Sequence, residues 1–311
     1  MKLHTKPEDF HALIQLSAKY KSIPESAIER DYFIVMALQH LAESELGDAC
    51  VFKGGTSLSK CYPNSIERFS EDIDLTFYQT EGLSDKQIER KLKAVEKAVT
   101  EGFQTEPIVA ERSNRNKSTY FWYDDKSNRV KLEIGSSVRP EPFSKKSMKT
   151  YIQEYLESQQ LFDEINDFEL VSVEINTLNI ERTFIDKVMS VKRHAICGTL
   201  DNKVRHIYDV TRLFELDEIK VFLDNGEEVK RLLQLTKNTD SAYLEKRNIP
   251  KEYNPLGAYN FEAWRDRFDT RIKDIYEQLH KSLLYTNEKQ DFNKAVSAFE
   301  KINQKFIELR E

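Results

Sequence analysis

Apolar and polar residues alternate over residues 72–77, where Ile73, Leu75 and Phe77 interleave with Asp72, Asp74 and Thr76. A period of two predicts a β-strand with one apolar face. The same alternation, less regular, marks strands over 105–111, 118–124 and 129–135, with turns at Asn114–Asn116 and Asp124-Asp125, and one more strand over 168–176. Cys50–Lys53 is a short apolar run that Gly54-Gly55 interrupts, and a short helix follows from Ser57 to Cys61, ended by Pro63-Asn64. Helical spacing covers 7–20, 23–46 and 84–101, the last capped by Ser84 or Asp85. Ser22-Ile23-Pro24-Glu25 has the form of a capping box with proline in the first turn. From Glu181 onward the pattern is helical throughout: 181–196, 203–216, 217–235 and 261–311 in two or more pieces. The outline is α+β: a mixed sheet flanked by helices over residues 1–180, then an all-helical domain over 181–311.

Composition narrows the function. Nine glycines and eight prolines in 311 residues leave little material for long linkers or a turn-rich sandwich. A formal net charge of −6 argues against a general polyanion binder. Locally, residues 182–206 carry six basic side chains (Arg182, Lys187, Lys192, Arg193, Lys203, Arg205) against two acidic ones. Such a patch suits a nucleotide or nucleic acid site, and equally a solvated helix face. Cys50, Cys61 and Cys197 are scattered, without metal-binding or disulfide spacing. The opening "MKLHTKPEDF" has no apolar targeting core and no apolar run spans a membrane, so a cytoplasmic protein without a membrane partner is expected.

The strand at 72–77 poses a chemical question. Asp72 and Asp74 project from one face about 7 Å apart, where like charges repel and aspartate is a poor strand former. A hard divalent cation such as Mg²⁺, which takes carboxylate oxygens together with substrate phosphates, cancels that repulsion. Upstream, Lys53-Gly54-Gly55-Thr56-Ser57 lies between a strand and a helix. Paired glycines there let backbone N–H groups approach an anion at a helix N-terminus, and Thr56 and Ser57 add hydroxyls. A glycine phosphate turn followed by Asp-x-Asp handles the two halves of a metal–nucleoside triphosphate. No Walker A pattern is present.

The motif resembles the glycine turn and Asp-apolar-Asp of the nucleotidyltransferase (polymerase-β-like) superfamily. "FKGGTSLSKCYPNSIERFSEDIDLTF" is similar to one branch, the AbiEii/AbiGii-type toxins with their MenT relatives. "IERDYFIVMAL", "RVKLEIGS", "ERTFIDKVMSVKRH" and "VRHIYDV" resemble that family's other blocks in the same order, over roughly residues 23–215. The resemblance implies a Mg²⁺-dependent nucleotidyltransferase toxin of a toxin–antitoxin or abortive-infection pair, with Mn²⁺ as the substitute metal. It would transfer NMP from an NTP to an RNA, such as a tRNA 3′ end, or to a protein, and be neutralised by an antitoxin encoded alongside.

Residue by residue, the resemblance makes Asp72 and Asp74 metal ligands and Gly54, Gly55, Thr56, Ser57 and Arg68 nucleotide-binding. Lys187 and Asp209 match the later motifs, Lys187 also meeting the triphosphate. A third carboxylate completes such a site. Spacing leaves Glu133, sharing a strand face with Lys131, and Glu174 as equals, and the family block favours Glu133. On the helix after 180, Phe184, Val188, Val191 and Ala195 form the apolar stripe, with Thr183, Lys187, Ser190 and His194 beside it. Tyr120 and Trp122 fit a strand core, and His194 and His206 fit solvent-facing or capping positions. Two rival readings are a nucleotide-binding regulator with little turnover and a host-factor-binding protein whose helical half is the active surface.

Overall fold

In the computed structural model, which describes residues 1–244, 253–281, 283–286 and 288–309, the chain divides into two compact units. One comprises Met1–Pro63 and Phe69–Leu178, the other Asn64–Arg68 and Asn179–Glu311.

The first unit is built on seven strands: β1 (Cys50–Lys53), β2 (Asp72–Phe77), β3 (Gln104–Pro107), β4 (Asn116–Trp122), β5 (Val130–Gly135), β6 (Phe143–Met148) and β7 (Val173–Leu178). They form one mixed sheet in the order β3-β4-β5-β2-β1-β7-β6. The β2/β5 and β1/β7 pairs are parallel and the others antiparallel. Ile73, Leu75, Leu132, Ile134 and Phe121 are buried on one face, as their alternation requires. Around the sheet lie α1 (Pro7–Lys21), α2 (Glu25–Glu43), α3 (Gly54–Cys61), α4 (Asp85–Val99), α5 (Tyr151–Ser158) and α6 (Phe162–Asp167). Helix α4 packs on β4 and β5, and α3 on β1, β2, β6 and β7.

Several local expectations change, among them the strands expected over 105–111 and 168–176, which are Gln104–Pro107 and Val173–Leu178. Ser22 does not cap α2. It ends α1 in the left-handed region (φ 57°), and Pro24 is the extended residue before α2. Helix α3 begins at Gly54 rather than Ser57, so the glycine pair is its first turn, not a loop before it. Alternation does not mark strand β6, because Lys145 and Lys146 interrupt it. It is an edge strand, where lysines cost little and discourage further pairing. The α4 cap is as expected: Ser84 Oγ accepts from Gln87 N, and the Gln87 side chain accepts from Ser84 N at 2.9 Å.

The second unit is helical: α7 (Ile180–Ile196), α8 (Val204–Glu215), α9 (Asp217–Asp224), α10 (Gly226–Leu244), α11 (Thr270–Glu277) and α12 (Phe292–Glu308). The single span expected over 217–235 is broken at Asn225. Of the span expected over 261–311, residues 282, 287, 310 and 311 lie outside the described residues. Helix α8 packs on α7, α11 and α12, and Phe261, Trp264, Phe268 and Phe299 form an aromatic core with Phe261 and Trp264 centroids 4.7 Å apart. Residues 64–68 join this unit through the Glu67 carbonyl, which accepts from Tyr285 N at 3.1 Å, and a bridge between Arg68 and Leu284. Among the described residues no helix is long and apolar enough to cross a membrane.

Candidate active site

In the first unit the register of the sheet assembles the carboxylates. Asp74 stands opposite Glu133 of β5 on one side and Lys53 of β1 on the other, and Asp72 stands opposite Lys131. Neighbouring strands are about 4.8 Å apart, so these side chains share one patch of sheet face. Glu174 is elsewhere: β1 separates its strand from β2, and it pairs with Ser147 of β6.

Glycine at position 54 is required twice. Its φ is +89°, and a Cβ there would lie 2.4 Å from Asp74 Oδ2. The start of α3 is therefore pressed against the second aspartate of the motif. Gly54→Ala is expected to cost about 1–2 kcal/mol for the left-handed backbone alone, plus the clash, and to displace Asp74. A lowered Tm with loss of transfer checks this, and an unchanged Tm would contradict the geometry.

Thr56 and Ser57 are buried, with hydroxyls engaged inside the unit. Thr56 Oγ1 donates to the Asp72 carbonyl and lies 3.0 Å from Ser70 Oγ, while Ser57 Oγ donates to the Gly54 carbonyl at 3.0 Å. These bonds tie the helix start to the strand that bears the aspartates. Beneath them, Lys60 of α3 pairs with Asp31 of α2 at 2.5 Å and lies 3.9 Å from the Tyr151 ring centroid, and Asp31 accepts from Tyr151 N at 2.6 Å. Burial pushes the Asp31 carboxyl up, against the opposing pull of Lys60. Asp31 is the one buried acid of "IERDYFIVMAL", and a carboxylate in that apolar helix was the signal that could have revealed it.

The carboxylate patch also holds a cation. Lys131 Nζ is 2.5 Å from Glu133 Oε1 and 2.8 Å from Glu111 Oε2, in the 3₁₀ turn after β3. Tyr120 and Trp122 are not core residues of β4; that role falls to Phe121. They are half-buried, Tyr120 stands opposite Lys131, and Arg129 and Lys126 lie over their rings at 4.1 and 5.2 Å. Among the described residues no three carboxylate, histidine or cysteine side chains converge closely enough to hold a metal ion. The donor chemistry is that of a hard divalent cation: Asp72, Asp74 and Glu133 are carboxylates on one sheet face, Asp74 against the Gly54 helix start and Glu133 paired with Lys131.

In the second unit Arg68, Lys187 and Asp209 meet. Arg68 Nε is 2.5 Å from Asp209 Oδ1 and its Nη2 donates to Oδ2 at 2.7 Å, a bidentate pair, and Lys187 Nζ is 2.8 Å from Oδ2. Their side chains are 2%, 7% and 0% exposed for Arg68, Lys187 and Asp209 respectively. Burial by itself would raise the Asp209 carboxyl, but the Arg68 and Lys187 charges together outweigh it and hold it well below the usual carboxylate range. Nearby acids have partners of their own: Glu67 pairs with Arg212, Glu71 with Arg30, and Asp186 with Arg182. The polar stripe of α7 is itself buried at Thr183, Lys187 and Ser190. Other members of the basic run of 182–206 also have partners within the unit, Arg193 on Asp240 and Lys192 on the carbonyls of Gly257 and Ala258.

His206 is part of this cluster, with Nδ1 3.1 Å from Ser190 Oγ. Burial, then the Lys187 charge, lower its pKa well below the ordinary value. The unfolded chain therefore takes up this proton first as pH falls, so the contribution to stability is full above about pH 6.5 and declines below it. Denaturation midpoints should fall from pH 7 to pH 5, by at most about 1.4 kcal/mol per pH unit for this one group. His206→Gln should flatten that slope, and an unchanged slope would place the dependence on other groups.

A mixed sheet with Asp-x-Asp on its central strand and a glycine helix start against it, in a chain that also carries a helical unit, defines a nucleotidyltransferase-type α+β protein. The chain belongs to the family described as the nucleotidyl transferase AbiEii toxin of type IV toxin–antitoxin systems, whose model matches residues 37–299. It is thus a nucleotidyltransferase of the toxin class. Two solved structures are similar: MenT4, a nucleotidyltransferase toxin from Mycobacterium tuberculosis, at 15% identity with a TM-score of 0.48, covering 95% of this chain and 97% of that one; and JHP933 from Helicobacter pylori, at 18% identity and a TM-score of 0.40, covering 83% and 95%. No curated protein matches the chain significantly.

Proposed function

We propose that this toxin transfers a nucleoside monophosphate from an NTP to an RNA acceptor, such as the 3′ end of tRNA, with release of pyrophosphate. The observation that carries the reading is the register that sets Asp74 beside Glu133 while Gly54, at the start of α3, abuts Asp74. Asp72, Asp74 and Glu133 would hold Mg²⁺, or Mn²⁺ in its place. When bound, such a cation neutralises phosphate charge and lowers the pKa of an attacking hydroxyl. The backbone N–H groups of Gly54, Gly55, Thr56 and Ser57 would bind the triphosphate, because the first N–H groups of a helix have no partner within it. Thr56 and Ser57 hydroxyls keep that turn in shape through the bonds they make to Asp72 and Gly54. In the second unit Arg68, Lys187 and Asp209, two cations on one carboxylate, keep a net positive charge and are assigned to bind phosphate. The protein acts in the cytoplasm and is held in check by its cognate antitoxin.

Labelled NTPs incubated singly with the protein, Mg²⁺ and total RNA should transfer label to an RNA band. Label on a protein band instead would redirect the acceptor. Nucleotide binding without pyrophosphate release would favour a regulator, and no nucleotide binding at all would favour a host-factor-binding protein. Separately, Mg-NTP should raise Tm by mass action on the folded state, by an amount equivalent to about 2.7 kcal/mol at a hundredfold excess over Kd. Chelator should abolish the shift, and a shift undiminished by chelator would refute the metal role.

A further inference from the structure

We infer that Lys131 is a positioning residue for metal binding: a resident cation that holds Glu133 away from the aspartates until a metal arrives and is then passed to Glu111. This rests on the reading of Asp72, Asp74 and Glu133 as the metal ligands.

The geometry supplies each part. Lys131 and Glu133 are two residues apart on β5, hence on one face, and they stand opposite Asp72 and Asp74 respectively. Three carboxylates so placed repel one another, and the Lys131 ammonium on Glu133 Oε1 offsets that charge. The same contact commits Glu133, and no three carboxylates converge among the described residues. A divalent cation approaching this face would be repelled by the ammonium and would compete with it for the Glu133 carboxylate. Lys131 does not have to be driven into water to release it. Its Nζ already touches Glu111 Oε2 at 2.8 Å, so it can give up one carboxylate and keep the other. Glu111 follows β3 in a 3₁₀ turn and stands opposite none of the residues assigned to the metal, which makes it a receiver rather than a ligand.

The handover predicts signs that a fixed surface charge does not. Mn²⁺ titration followed by electron paramagnetic resonance, on the full chain without nucleotide, reads them. Lys131→Met should bind Mn²⁺ roughly three- to fivefold more tightly than the native chain, the scale of a partly exposed ion pair. Glu111→Gln should bind more weakly by a similar factor, because Lys131 then has only Glu133 to hold. The double variant should match Lys131→Met, since Glu111 matters only through the lysine. Lys131→Gln repeats the test with a polar side chain should the methionine variant fold poorly. If Glu111→Gln weakens binding equally with and without Lys131, Glu111 acts merely as a nearby charge and the handover is wrong; if Lys131→Met binds no more tightly, it is equally wrong. Asp74→Asn separates the two levels of the argument. Native-like Mn²⁺ binding in that variant would overturn the carboxylate site itself, whatever the lysine does.

Discussion

Asp74→Asn is expected to abolish nucleotidyl transfer and growth toxicity while leaving the protein folded. Asp74 is the point where three parts of the first unit meet: the Gly54 start of α3, Glu133 across β5 and Lys53 across β1. Asparagine keeps the shape that packs against Gly54 and removes the charge that a divalent cation requires. Losing one carboxylate also lessens repulsion with Asp72 and Glu133, so metal-free stability should be equal to native or slightly higher. Transfer should fall by at least about two to three orders of magnitude, the scale seen when one preorganised electrostatic group is deleted from an active site. Glu133→Gln should lose transfer on the same scale while retaining nucleotide binding. Glu174→Gln, two strands away, should lose little, because an exposed strand glutamate contributes at most about 1 kcal/mol. Toxicity that persists in Asp74→Asn at equal expression would sink the assignment, and a dead Glu174→Gln beside an active Glu133→Gln would contradict the register argument.

Asp209→Asn should give the largest loss of stability, about 3–5 kcal/mol. The penalty comes less from the pairs lost than from what remains: two buried cations, Arg68 and Lys187, deprived of the carboxylate they share. Chemical denaturation should show the loss. Lys187→Met is the milder change, because Asp209 keeps its bidentate partner Arg68. The two variants together distinguish anchoring from chemistry. If Lys187→Met folds near native stability but no longer transfers nucleotide, the ammonium serves the reaction. If it folds and transfers normally, the triad serves only to hold α7, α8 and the 64–68 segment together. A loss well under 1 kcal/mol in Asp209→Asn would show that the cluster is hydrated in solution.

Short-range patterning already specified much of this protein. The period of two in residues 72–77 and 129–135 determines that Asp72 with Asp74, and Lys131 with Glu133, share faces, because successive side chains on a strand must alternate. Ser84 and Gln87 are three apart, so the α4 cap is a local event. The two family blocks that contain Lys187 and Asp209 are likewise legible as strings of residues. Partnership between strings is not. Whether β5 or β7 lies beside β2 is a matter of sheet order, and that order alone sets Glu133 apart from Glu174. Arg68 finds Asp209 across 141 residues. Glu111 reaches Lys131 only because β3 and β4 pair as they do. Alternation and capping are decided within a few residues by backbone geometry. Strand order and buried ion pairs are decided by which distant surfaces can be desolvated together, and local spacing carries no record of that competition.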